Sequence, residues 1–207
     1  MKINNINTDN KVLIIAEIGN NHEGSYSLAE EMIGLAAEAG VDAVKFQTFQ
    51  TEYYISKKNK ERFDMIKSFE LSYEQFQKLC IVAKNQGLYF ISTPFDIESA
   101  LFISEIADAI KISSGDNNFF PLLEAVAKTN KPLILSTGLA NINQINVAKD
   151  IVENDPAAHL LQELAPGSLP VLVLEPAVHV SHELLPVEGW NNPAAQSVQV
   201  VATETAV

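Results

Sequence analysis

Two lysines stand inside otherwise apolar runs. Lys45 lies within Ala43-Val44-Lys45-Phe46-Gln47-Thr48, and Lys111 within Ala109-Ile110-Lys111-Ile112-Ser113-Ser114. An unpaired ammonium buried in such a run is costly, so each requires an anion from the protein or from a ligand. Gln47 and Ser113 follow two residues later, which puts them on the same side of an extended chain as the lysines. Thr93, Ser114, Ser136 and Thr137 close the apolar runs in which they lie, and Glu17 is the carboxylate at the end of the first run. Lysines bring point charge to a phosphate or carboxylate. Hydroxyls and strand-end amides add donors, and a lone carboxylate can act as general base or hold a metal. The combination suits a small phosphorylated acid. A plainer alternative is that Glu17 only neutralises Lys45 or Lys111, but one ion pair leaves the ring of hydroxyls unexplained.

The elements that must position these groups alternate. Val12 to Ala16 reads as a buried strand, followed by a helix over Tyr26 to Ala39 capped by Ser25 and stopped at Gly40. Strands at Ala43 to Thr48, Leu88 to Thr93, Ala109 to Ser114 and Leu133 to Thr137 alternate with helices at Tyr73 to Gln86, from the Asp96 cap to Ala107, Phe119 to Thr129 and Asn141 to Val152. Five β-α units of short strands, apolar on both faces, require a parallel sheet covered by helices. A doubly wound sheet gathers ligand groups at one switch point. Here every strand ends in polar groups, which favours a (β/α)8 barrel of the TIM type, present as about five units.

Composition sets the limits. The 207 residues are 47% hydrophobic, enough for a sizeable core, and the net charge of −12 argues against nucleic acid as a partner. The single cysteine, Cys80, cannot form an internal disulfide and reads as a small buried residue. No apolar run reaches the roughly 18 residues of a membrane span, and the polar start MKINNINTDNK is unlike a signal peptide, so a cytoplasmic location is expected. All 14 Lys and Arg precede Asn154. From Asp155 onward there are six acids, six of the nine prolines and no basic residue. The chain therefore divides into 1–154 and an irregular, Pro-rich 155–207 of unknown role.

Five segments together resemble the sialic acid synthase family, meaning N-acetylneuraminate synthase and its legionaminate and pseudaminate relatives. They are Ala16-Glu17-Ile18-Gly19-Asn20-Asn21-His22-Glu23-Gly24, Lys45-Phe46-Gln47-Thr48, Ser92-Thr93-Pro94-Phe95, Lys111-Ile112-Ser113-Ser114-Gly115 and Ser136-Thr137-Gly138, in the family's order. The resemblance covers roughly Val12 to Asn154. It implies a β/α barrel that condenses phosphoenolpyruvate with an N-acetylated amino sugar, such as N-acetylmannosamine, to a nonulosonic acid with release of phosphate. Glu17 matches the family's catalytic glutamate. Lys45, Thr93, Lys111, Ser114 and Ser136 match positions that hold phosphoenolpyruvate, and Gln47 a sugar-side position. Asp116 stands where many members have glutamate. The resemblance also implies a divalent metal, Mn2+ or Mg2+, and a homodimer. The family's metal ligands and its dimer-forming C-terminal domain have no counterpart after Asn154, so a truncated or chimeric product is expected, with the family's metal ligands not found in this chain.

Weaker signals have ordinary explanations beside them. His179 and His182 are spaced as metal ligands are, or are a chance pair. Leu169 to Leu174 is a candidate sixth strand. Lys57, Lys58, Lys60 and Arg62 form a basic run in the long loop after the second strand, either gating the site or simply solvated. His22 either reaches the site or belongs to an ordinary turn. Two other functions compete with the synthase: an aldolase forming a Schiff base on lysine, and an inert half-barrel.

Overall fold

The computed structural model describes residues 2–3, 6–7, 11–153, 161–163 and 198–201. Two two-residue strands, β1 (Lys2–Ile3) and β2 (Ile6–Asn7), pair antiparallel. The five expected β-α units follow. They are β3 (Leu13–Gly19) with α1 (Tyr26–Glu38), β4 (Ala43–Thr48) with α2 (Thr51–Tyr54), α3 (Lys60–Phe69) and α4 (Tyr73–Asn85), β5 (Tyr89–Pro94) with α5 (Ile97–Ile106), β6 (Ala109–Ile112) with α6 (Phe120–Ala127), and β7 (Leu133–Leu135) with α7 (Ile142–Glu153). Short strands β8 (Leu161–Glu163) and β9 (Val198–Val201) complete the set. In the sheet the order is β8-β7-β6-β5-β4-β3-β9. From β3 to β8 neighbours are consecutive and parallel, whereas β9 runs antiparallel to β3. There is no reversal of order and hence no switch point. The five long-run strands make a half-barrel with helices outside, as a singly wound sheet must.

Side-chain alternation splits the interior into two layers. One layer lies between sheet and helices and contains Val44, Phe46, Phe90, Ile110, Ile112, Leu133 and Leu135 against Phe76, Leu79, Ile103 and Leu122. Phe46 stacks on Phe90 at 5.3 Å and meets Phe76 edge-on at 6.2 Å. Truncating a buried aromatic of this kind costs about 3–5 kcal/mol. The other layer is the concave inner face, where Leu13, Ile15, Ala43, Ile91, Ala109 and Ile134 pack with Ile3 from the hairpin.

Local chemistry sets the helix starts. Ser25 accepts from Leu28 N at 3.3 Å, Ser72 and Gln75 form a capping box, and Asp96 accepts from Ser99 N at 2.7 Å. Several boundaries differ from expectation. The β6 and β7 strands end at Ile112 and Leu135, so Ser113, Ser114, Ser136 and Thr137 lie just beyond them. The basic run is only half loop: Lys57 and Lys58 lie in the turn before α3, Lys60 and Arg62 belong to α3, whose start Asn59 caps, and all four cations are exposed. The sixth strand is Leu161–Glu163. The segment Leu169 to Leu174 and the pair His179 and His182 lie outside the described residues.

Candidate active site

Residues two apart on a strand share a face, and on each long strand the inner face changes from apolar to polar toward its C-terminal end. β3 presents Leu13, Ile15, Glu17. β4 presents Ala43, Lys45, Gln47. β5 presents Tyr89, Ile91, Thr93, and β6 presents Ala109 and Lys111. Strand register aligns them: Glu17 lies opposite Lys45, and Gln47 opposite Thr93. Continuing the β5–β6 register from Ser92↔Ile110 sets Thr93 beside Lys111, and continuing β6–β7 from Ile112↔Leu135 sets Ser113 beside Ser136. The expected residues Glu17, Lys45, Gln47, Thr93, Lys111, Ser113 and Ser136 therefore converge on one rim. Ser114 is out of phase with them, and its carbonyl accepts from Asn117 Nδ2 at 2.8 Å.

The rim carries unsatisfied polarity. Lys45 is 2% exposed and forms an ion pair with Glu17 through Oε2, so the partner is Glu17 and not a distant acid. The other carboxylate oxygen, Glu17 Oε1, is buried with no hydrogen-bond partner among the described residues, and so is Thr93 Oγ1. Buried polar atoms are nearly always paired, so two orphans on one rim mark a place where a ligand supplies the partner. A register shift between Glu17 and Gly19 bulges β3 at this end. Gly19 has φ +59°, and a Cβ there would lie 3.4 Å from Glu17 Oε1 and 3.7 Å from Gln47 Nε2. The carboxyl and the amide thus converge over a position with no side chain of its own.

The surrounding loops hold this rim in place. Gly24, at φ +80°, packs so tightly that a Cβ would meet Ser68 O at 2.0 Å, which locks the first loop to the end of α3. His22 in that loop is 1% exposed and packs on Phe46, and its Nδ1 accepts from Gly24 N at 3.1 Å. It is a buried turn residue on the helix side of the sheet, and burial lowers its pKa to about 4. Asp116, in the loop after β6, is pushed above the usual carboxylate range by burial, opposed by a hydrogen bond from Ser113. Cys80 is buried in α4, where its thiol donates to Ile106 O at 3.3 Å, and burial raises its pKa. The sequence marks Asp96 only as a helix cap. It is 4% exposed and also accepts from Gln50 N at 2.9 Å, tying the loop after β4 to that after β5.

The implied divalent metal can be tested against these residues. Among the described residues no three His, Cys, Asp or Glu side chains group as ligands. Glu17, the carboxylate on the rim, has one oxygen committed to Lys45. The described residues do not by themselves fit a metal, and no step is derived through one. No helix among them is long and apolar enough to cross a membrane.

A sequence profile described as the NeuB family matches residues 32–163. The chain belongs to the NeuB family. An uncharacterised Methanocaldococcus jannaschii protein is 46% identical over 143 residues, covering 69% of this chain and 42% of its own length. The N,N'-diacetyllegionaminic acid synthase of Campylobacter jejuni is 39% identical over 156 residues, covering 69% and 47% respectively. The crystal structure of N-acetylneuraminic acid (sialic acid) synthetase from Leptospira borgpetersenii, in complex with citrate, superposes with TM-score 0.75 at 32% identity. That match covers 89% of this chain and 65% of the other. This NeuB-family chain spans about half the length of the curated relatives it matches.

Proposed function

We propose that this chain carries the phosphoenolpyruvate side of a nonulosonic acid synthase, joining phosphoenolpyruvate to an N-acetylated amino sugar. The observation that supports this most directly is the buried Glu17–Lys45 pair beside the unpartnered Glu17 Oε1 and Thr93 Oγ1, on the rim of a NeuB-family half-barrel. Lys45 and Lys111 neutralise the phosphate and carboxylate of the ligand, and Thr93, Ser113 and Ser136 donate hydroxyls to it. Gln47 and Asp116 face the sugar. In the reaction C3 of phosphoenolpyruvate attacks the sugar carbonyl carbon and a C–C bond forms. Water then adds at C2, the C2–O bond breaks and inorganic phosphate leaves. Glu17, held beside Lys45 with its other oxygen open to a ligand, takes one proton from the attacking water and gives one to the sugar carbonyl oxygen as it becomes a hydroxyl, while the second water proton leaves with phosphate as C2 becomes a carbonyl.

The ion pair also bears on the aldolase alternative. A Schiff-base lysine must offer a neutral amine, whereas Lys45 is engaged by a carboxylate. Borohydride trapping with pyruvate is expected to leave the chain unmodified, and a covalent adduct would favour the aldolase. Binding is tested by titration calorimetry with phosphoenolpyruvate. The native chain is expected to bind and Lys45→Met not to. Equal binding by both, or by neither, overturns the proposal. Phosphate release from phosphoenolpyruvate with N-acetylmannosamine and Mn2+ then separates a working synthase from an inert half-barrel that only binds.

A further inference from the structure

One aromatic ledge at the mouth of the site has no part in the roles above. The four-residue α2 directly follows β4, the strand that carries Lys45 and Gln47. It is held by two carboxylates. Asp96 accepts from Gln50 N, and Glu70 accepts from both Thr51 N at 2.8 Å and Thr51 Oγ1 at 2.6 Å. Tyr54 closes this turn. Its ring stacks on Phe95 at 4.6 Å and 25°, and lies 5.7 Å from Phe49. Phe95 comes two residues after Thr93 and is itself anchored by Phe95 N donating to Thr48 O at 3.1 Å.

The ring is therefore fixed, yet its hydroxyl makes no hydrogen bond among the described residues. Half-burial of Tyr54 raises the phenol pKa, the Asp116 carboxylate raises it further, and Arg62 of α3 opposes both. The phenol thus lies within the field of the one partly buried carboxylate after β6. A rigid ring with a spare hydroxyl, on the turn that follows the Lys45–Gln47 strand and within the field of the Asp116 carboxylate, is what a polyhydroxylated ligand requires. The ring loses little entropy on binding, and the polar groups pair with hydroxyls. A phosphate, by contrast, is repelled by the carboxylate whose field the phenol shares.

We propose that Tyr54 is a specificity-determining residue whose hydroxyl, mounted on the Phe95 stack, contacts the hydroxyl-rich sugar and not phosphoenolpyruvate. This rests on the synthase reading of the same rim. The test titrates N-acetylmannosamine into the full chain saturated with phosphoenolpyruvate, and phosphoenolpyruvate into the free chain, for native protein and Tyr54→Phe. The variant keeps the ring and its stack. It is expected to weaken the sugar by about tenfold and to leave phosphoenolpyruvate within about twofold. A second measurement incorporates 3-fluorotyrosine and assigns the Tyr54 resonance by its loss in Tyr54→Phe. That resonance is expected to move on adding sugar to the phosphoenolpyruvate-loaded chain. Unchanged sugar affinity, a silent resonance, or loss of phosphoenolpyruvate binding in Tyr54→Phe overturns the proposal. So does a native chain that binds phosphoenolpyruvate but no sugar, which leaves the phosphoenolpyruvate side of the reading intact. A native chain that binds neither ligand overturns both.

Discussion

The two ends of the sheet handle buried polarity in opposite ways. At the N-terminal end, Asp42 accepts from Ile14 N at 2.9 Å and from Lys11 at 2.5 Å. Asp108 accepts from Phe90 N at 2.8 Å, with Lys84 at 3.9 Å. Lys84 and Lys131 donate to the carbonyls of Ile106 and Ala107. Each of these side chains meets a group of the protein itself. At the C-terminal end some polarity is left over: beside the Glu17–Lys45 pair and the Asp96 brace, Glu17 Oε1 and Thr93 Oγ1 are buried with no hydrogen-bond partner among the described residues. The first end braces one strand against the next, while the second is left incomplete in a way that a ligand would complete. Such a division places stability at one end of a β/α half-barrel and chemistry at the other.

Four experiments break or sharpen that contrast. The largest effect is expected from Glu17→Gln with Lys45→Met. Phosphoenolpyruvate affinity should fall at least about 100-fold, which is roughly 2.7 kcal/mol. Thermal stability should hold or rise, because removing both partners of a buried ion pair is often neutral or better. Calorimetry of binding and of unfolding reads both, and a large loss of stability would mean that this end is also structural. At the opposite end, Asp42→Ala strands the N–H of Ile14 and should cost about 1–3 kcal/mol. For a chain of this size that is a fall in Tm of roughly 2–12 °C. Phosphoenolpyruvate affinity should stay unchanged, and a changed affinity would erase the contrast.

His22 tests whether a buried loop residue at the chemical end still contributes to the fold. Its pKa is lowered to about 4 by burial, so the unfolded chain binds more protons than the folded chain below about pH 6.5. Stability should be fully present above that value and decline as pH falls toward 4, by about 1–2 kcal/mol at pH 5. Urea unfolding of native and His22→Gln protein should show the slope in the first and a flatter profile in the second. The smallest effect concerns Asp116. Its raised pKa means that the charged carboxylate weakens the folded state at neutral pH and that the penalty is relieved as pH falls through its titration. Asp116→Asn should therefore be slightly more stable than native at pH 7, with the difference shrinking in acid. A difference that grows in acid would show that the carboxylate is stabilising.

Much of this was legible from local chemistry. The helix caps Ser25, Ser72 and Asp96, the five apolar runs and the polar residues that close them all depend on near neighbours in sequence. What escaped lacks that kind of signal. The α3 helix buries no residue, so no apolar stripe marks it, and its start rests on Asn59 and Glu61. The β1 and β2 strands are two residues each, too short to show a period, and Ile3 of β1 packs on the inner face. β9 pairs with β3 across 180 and more residues of chain. The roles of Asp42 and Asp108 were equally invisible, because an aspartate before a strand does not reveal which backbone N–H it will meet.

From the sequence alone, the order of strands and helices was determined, as was the side of each strand that turns polar and the presence of two lysines in need of anions. These follow from periodicity and from the cost of burying charge, both of which act within a few residues. Only the tertiary structure decided which acid met which lysine, which carboxylates became braces, and which oxygens were left over. Those outcomes depend on the register between strands some 30 residues apart, and a shift of a single residue would have turned every inner group to the other face.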